Sequence, residues 1–105
     1  MIDNKERLIG YLKTLVNSVY KILPLYEEEN KGLEKYVESL LFELNGLDKV
    51  VPLENSDEYI SLMANLNSII KEVKLEDSRK SVVKREVFKS INIVKSMIGK
   101  LEEGE

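Results

Sequence analysis

The chain has 105 residues, of which 43% are hydrophobic and 33% are charged, and its net charge is −3 at pH 7. That length fits a single domain with a core of its own. Because cysteine and histidine are absent, the sequence excludes disulfides, the common zinc sites and nucleophilic sites that need a Cys-His or Ser-His pair. The five glycines are isolated, so no phosphate-binding loop is present. We therefore expect neither enzyme activity nor a cofactor.

The first segment has an apolar residue at every third or fourth position. These positions are Leu8, Leu12, Leu15, Val19, Ile22 and Tyr26. The spacing is typical of an amphipathic helix, which we place at about 4–24, after a capping pair of Asp3 and Glu6. Because proline lacks an amide hydrogen and clashes with the preceding turn, Pro24 predicts a kink or break, with a further helical turn through 27–29.

A second apolar series follows the turn at 30–32. It comprises Leu33, Val37, Leu40, Leu44, Leu47 and Val51. We place helix 2 at about 32–46, because Gly46 suits the left-handed residue that often ends a helix. We favour a stop near Asn45. The alternative is a helix that continues to about Val51, just before Pro52.

Two further helices are predicted in the second half of the chain. Helix 3, at about 56–75, begins after an N-cap at Asn55 or Ser56 and carries the stripe Tyr59, Leu62, Met63, Leu66, Ile69, Ile70 and Val73. Helix 4, at about 79–101, carries the stripe Val83, Val87, Ile91, Val94, Ile98 and Leu101. A short acidic tail remains at 102–105.

Four amphipathic segments with short connections predict an all-α fold, a single four-helix bundle of up-down-up-down topology that spans residues 1–105. The alternative is a three-helix arrangement with a kink at Pro24. The N-terminus is charged where a signal peptide is apolar, and no segment approaches the roughly 18 apolar residues of a membrane span. We therefore expect a cytoplasmic protein without membrane contact.

Charge is unevenly distributed along the chain. Residues 79–100 contain seven basic side chains and one acidic one, Glu86, so helix 4 is basic on an acidic protein. The candidates for contact with nucleic acid are Lys84, Arg85, Lys89 and Lys95. Two alternatives are pairing of these cations with acidic residues of helices 1 and 2, and contact with an acidic protein. The acidic residues at 27–29, with Glu34 and Glu38, predict solvated surface rather than a metal site.

Several apolar residues lie away from the predicted core stripes. Phe42 projects opposite the stripe of helix 2, and Phe88, Val82 and Ile93 leave the stripe of helix 4. We predict these four side chains to be partner-binding. The alternative is that the bundle itself covers them.

Helix 3 carries no charge between Tyr59 and Ile70. Its back face consists of Ser61, Ala64 and Ser68, whose small side chains would allow another helix to approach closely. We predict a homodimer through this face. The alternative is that the bundle buries it.

The segments EKYVESLL at 34–41 and VKREVFK at 83–89 carry a resemblance to a known group of proteins. It resembles the small helical proteins of phages and mobile elements in AT-rich Gram-positive bacteria. The resemblance implies no site residue, because neither segment is a motif of known chemistry. We expect a small non-enzymatic protein that regulates by binding another protein. The alternatives are a nucleic-acid-associated accessory protein acting through helix 4 and an immunity-like inhibitor of a toxin, since bacteriocin immunity proteins are similar in size and helix count.

Overall fold

The computed structural model describes residues 4–48 and 57–103, which are helical apart from short turns. The helices are α1 (Asn4–Tyr20), α2 (Ile22–Glu27), α3 (Leu33–Asp48), α4 (Asp57–Val73) and α5 (Lys80–Glu103). Helix α2 continues α1 after a one-residue interruption, so the chain forms the predicted four-helix bundle. The three-helix alternative is wrong.

Contacts at both ends of α3 and α4 show that these helices are antiparallel. The Tyr59 hydroxyl, at the start of α4, donates a hydrogen bond of 3.1 Å to the Leu44 carbonyl near the end of α3. At the other end, the Lys74 ammonium lies 3.9 Å from the Glu34 carboxylate. Successive helices therefore run in opposite directions in this half of the bundle.

Helix α5 closes the bundle by packing between α1 and α4. It is antiparallel to α1 and α2, because Lys80 meets Glu27 at 2.7 Å and Glu102 meets Lys13 at 3.3 Å. It is antiparallel to α4 as well, since Lys100 near its end lies 3.2 Å from Glu58 at the start of α4. This arrangement is the predicted up-down-up-down topology.

The core is formed by the apolar stripes that the spacing predicts. Every stripe position within the described residues is buried or half-buried; Val51 lies outside them, as do Asp3, Asn55, Ser56 and the end of the acidic tail. Helix α5 also buries three side chains off its stripe, Glu86, Ser90 and Met97. Because α5 packs on two sides, it needs a wider buried arc than one stripe supplies.

The helix predicted at 4–24 is interrupted earlier than expected, at Lys21, and Pro24 lies inside α2. The backbone amides of Lys21 and Leu25 still donate to carbonyls four residues back. Proline has no amide hydrogen, so the carbonyl of Tyr20 has no intrahelical donor at Pro24. The helix therefore breaks one turn before the proline and then continues to Glu27.

The predicted stop near Asn45 is wrong, because α3 continues through Gly46 to Asp48. No glycine in the described part of the chain has a positive φ, so Gly46 is not a left-handed cap. Leu47 stays half-buried against the core. Apolar burial of this kind outweighs the roughly 1 kcal/mol cost of a glycine within a helix.

The other helix ends differ by one or two residues from the prediction. Helix α4 ends at Val73, and α5 extends to Glu103, so Glu102 and Glu103 belong to the helix and not to the acidic tail predicted after it. The ion pair of Glu102 with Lys13 holds this last turn against α1.

The turn between α2 and α3 contains a left-handed residue that is not glycine. Glu29 has φ 55°. The amide of Asn30 donates to the Leu25 carbonyl and the amide of Glu29 donates to the Tyr26 carbonyl, both at 3.0 Å. These two bonds form a Schellman motif, in which glycine is the usual left-handed residue.

Candidate interaction surfaces

The first candidate surface is the outer face between α1 and α5, here called the α1–α5 face. It contains an aromatic pair, Tyr20 and Phe88, whose ring centroids are 6.0 Å apart in an edge-to-face arrangement. The two residues are 39% and 38% exposed. This geometry is the favourable one for aromatic rings, so the pair presents a fixed and partly exposed apolar patch.

An ion pair lies at each end of the α1–α5 face. At one end, hydrogen bonding to the Lys80 ammonium and its charge hold the pKa of the Glu27 carboxyl below its ordinary value, and the same contact raises the pKa of Lys80. Lys13 and Glu102 pair at the other end.

Two lysines lie between those ion pairs on the same helix as Phe88. Lys84 is one turn before Phe88, and Lys95 is two turns after it. Both side chains are exposed, and neither forms an ion pair with a described residue. The centre of the face therefore combines aromatic side chains with two exposed lysines, and the charge of Lys84 also acts on Glu27.

The four cations predicted to contact nucleic acid divide into two groups. Arg85 and Lys89 lie 3.4 and 3.7 Å from the carboxylate of Glu86, whose side chain is 10% exposed. Lys84 and Lys95 have no such partner in the described part. All four are exposed, and because Arg85 and Lys89 share the single carboxylate of Glu86, their two positive charges are only partly compensated.

The second candidate surface is the outer face of α3 and α4, here called the α3–α4 face. Phe42 projects from it and is 80% exposed, and Ile60 is 55% exposed. Phe42 borders an open groove of about 400 Å³ between the two helices. The groove is lined by Glu38, Leu41, Phe42, Asn45, Asn67, Ile70, Lys71 and Lys74.

The predicted dimer residues Ser61, Ala64 and Ser68 are all exposed on the outer side of α4. The bundle does not cover them, so in the single chain the alternative of burial is wrong. Their neighbours Ile60 and Asn67 are exposed as well. An uncharged strip thus runs along the α3–α4 face.

The structure does not gather the four predicted partner-binding residues in one place. Phe42 lies on the α3–α4 face and Phe88 lies on the opposite α1–α5 face. Val82 and Ile93 are half-buried on α5, and Ile93 packs against the core. Phe42 and Phe88 are therefore the exposed members of this set.

A wide cavity of about 730 Å³ lies at the end of the bundle, between the α2–α3 and α4–α5 turns. The hydroxyls of Tyr26 and Ser78 share a hydrogen bond of 2.8 Å there. Glu27, Glu29, Glu34 and Glu76 are among its lining residues. Residues 4–48 and 57–103 bring no three carboxylates together in a way that could hold a metal ion.

Sequence reasoning missed two residues of these surfaces, Tyr20 and Ile60. Tyr20 is one residue after Val19 of the core stripe, so its side chain lies at the edge of that stripe. Which helix packs beside this edge depends on the tertiary structure. Ile60 could have been found, because it is four residues before Ala64 and borders the back face already singled out.

No protein-family model, curated protein or solved structure matches this chain. The resemblance to helical proteins of phages and mobile elements therefore stays a prediction. No helix in the described ranges combines the length and apolar character that crossing a bilayer requires.

Proposed function

We propose that this chain is a small regulatory protein without catalytic activity, and that it binds an acidic surface of another protein through the α1–α5 face. The observation that carries the proposal is the exposed Tyr20–Phe88 pair beside Lys84 and Lys95. Rigid aromatic side chains dominate the energetics of many protein interfaces. Flanking charges speed association with a complementary surface and select the partner.

The distribution of charge favours a protein over nucleic acid as the partner. Phosphate backbones are bound by series of free cations, each of which releases counterions. On α5, Glu86 already neutralises part of the charge of Arg85 and Lys89. A compact acidic patch on a protein needs only the two lysines and the aromatic pair.

The experiment is capture of partners from an extract of the source organism, treated with nuclease, on immobilised wild-type and variant chains. The test variant is Lys84→Glu with Lys95→Glu. The matched control is Lys31→Glu with Lys35→Glu, which changes charge equally at exposed positions outside the α1–α5 face. We expect one captured protein with an acidic surface, bound at least about tenfold more weakly by the test variant and normally by the control.

Two results would overturn the proposal. One is that the test and control variants reduce the amount of captured partner equally, which would place the binding contact outside the α1–α5 face. The other is binding of a labelled DNA duplex or single-stranded RNA with a steep loss as salt rises, which would indicate a nucleic-acid-associated protein. Circular dichroism of each variant establishes that the bundle remains folded.

A further inference from the structure

The α3–α4 face is apolar at its centre and is exposed in the single chain. Phe42 and Ile60 leave 80% and 55% of their surface in water. An exposed aromatic side chain beside an open groove, surrounded by polar residues, is typical of an interaction site. The identity of the occupant follows from the order of charges along this face.

Helix α4 has opposite charges at equal distances from its centre. Asp57 and Lys71 are exposed near its two ends, and Ala64 is seven residues from each. At 1.5 Å per residue the two charges are about 21 Å apart along the helix axis. They lie on the same outer side as Ala64, and residues 59–70 between them carry no charge.

This order of charges is self-complementary. When a second α4 lies antiparallel to the first, the acidic end of each helix faces the basic end of the other. The geometry points to a second copy of this chain on the α3–α4 face, related by a twofold axis that passes between the Ala64 residues of the two copies, perpendicular to both α4 helices. The axis brings Asp57 of each copy opposite Lys71 of the other, and Ile60 opposite Ser68. A parallel arrangement would place Asp57 against Asp57 and Lys71 against Lys71, where like charges repel.

Phe42 lies at the same level along the bundle as this axis. The contacts of Leu44 with Tyr59 and of Glu34 with Lys74 fix the register of α3 against α4, and Phe42 falls beside the middle of α4. The two Phe42 side chains therefore lie at the level of the axis, each beside the groove between α3 and α4 of its own copy.

The exposed Phe42 and Ile60 and the order of charges along α4 favour this dimer. The small side chains of Ser61, Ala64 and Ser68 set only how closely the helices approach. It goes beyond the proposed function, because the α1–α5 face lies on the other side of each bundle. A dimer would present two such faces and bind a multivalent partner with increased avidity.

The first experiment compares Ala64→Arg with Asn92→Arg, which adds the same side chain at an exposed position on the outer side of α5. Sedimentation equilibrium at tens of micromolar should show a dimer for the wild type and for Asn92→Arg, and a monomer for Ala64→Arg. Circular dichroism should show the same helix content for all three. A monomeric wild type, or a dimer that Ala64→Arg leaves intact, overturns the inference.

The second experiment tests the antiparallel register. Asp57→Lys alone and Lys71→Asp alone should each weaken the dimer about tenfold, because like charges then meet at both contacts. The double variant that exchanges the two charges should restore wild-type affinity, and an equimolar mixture of the two single variants should form a mixed dimer. Failure of the exchange to restore the dimer, with the helix content unchanged, contradicts this register. Loss of the dimer does not abolish binding at the α1–α5 face, so the two proposals fail separately.

Discussion

Helices α3 and α5 occupy diagonal positions in the bundle and are held in different ways. Helix α5 is packed by α1, α2 and α4 and buries eight side chains. Helix α3 packs along α4 and against the short α2, and it buries four apolar side chains, Leu33, Val37, Leu40 and Leu44. Two tyrosine hydroxyls supplement its narrower stripe, since Tyr36 donates to the Ser18 carbonyl at 2.7 Å and Tyr59 donates to the Leu44 carbonyl. Helix α5 is thus held by apolar burial on two sides, whereas α3 is held by a single apolar stripe and by specific hydrogen bonds.

The largest expected difference is between core truncations in the two helices. Ile91 on α5 is 1% exposed and Leu44 on α3 is 0% exposed. The cost of a truncation depends on how far the surroundings can close the cavity. Ile91→Ala should lower the free energy of unfolding by about 4–5 kcal/mol, and Leu44→Ala by about 2–3 kcal/mol, because α3 has fewer neighbours to hold the cavity open. Urea denaturation measures both, and a larger loss for Leu44→Ala contradicts the comparison.

The next largest effect concerns the tyrosine hydroxyls. Tyr36→Phe should lower the free energy of unfolding by about 1 kcal/mol, because the Ser18 carbonyl loses its donor. The hydroxyl of Tyr11 on α1 is buried and has no hydrogen-bond partner in the described part of the chain. Tyr11→Phe removes an unsatisfied polar group and should raise the free energy of unfolding by up to about 1 kcal/mol. Equal destabilisation by both variants would show that the Tyr11 hydroxyl has a partner.

A smaller effect is expected in the turn that leads into α3. Glu29 has the left-handed backbone conformation that glycine adopts without strain. Glu29→Gly should raise the free energy of unfolding by about 0.5–1 kcal/mol, after the greater freedom of glycine in the unfolded chain is taken into account. Thermal denaturation measures the change. Glu28→Gly, in the right-handed conformation, is the matched control and should be destabilising; stabilisation by both variants would contradict the role of Glu29.

The last prediction concerns the loss of stability at alkaline pH, which is absent at neutral pH. Burial raises the pKa of Tyr11 to about 12, and the charge of Glu43 adds to the shift. Between pH 10 and 12 the unfolded chain loses this proton while the folded chain keeps it, so stability falls as pH rises. Tyr11→Phe should flatten this alkaline loss relative to the wild type. Urea midpoints across this pH range measure it, and parallel curves for the two chains would contradict the prediction.

Local spacing predicted most of the fold because helix periodicity is a local property. Apolar residues at every third or fourth position, as at Leu8, Leu12 and Leu15, lie on one face of a helix, so a helix can bury all of them together. The same reasoning failed at Gly46 and Lys21. In both cases a neighbour decided the outcome: Leu47 gains enough burial to carry the helix past a glycine, and the loss of one amide at Pro24 interrupts the helix a turn earlier.

The sequence by itself determined that the chain forms four amphipathic helices, which apolar stripes enter the core, and that residues 59–70 of α4 carry no charge. Only the tertiary structure decided which helices are neighbours. That choice pairs Phe88 with Tyr20, buries Glu86 and Ser90 on α5, leaves Phe42 in water and sets Asp57 and Lys71 on one outer face. The physical reason is that periodicity specifies the direction in which a side chain leaves its own helix, whereas exposure and charge pairing depend on what the other helices place there.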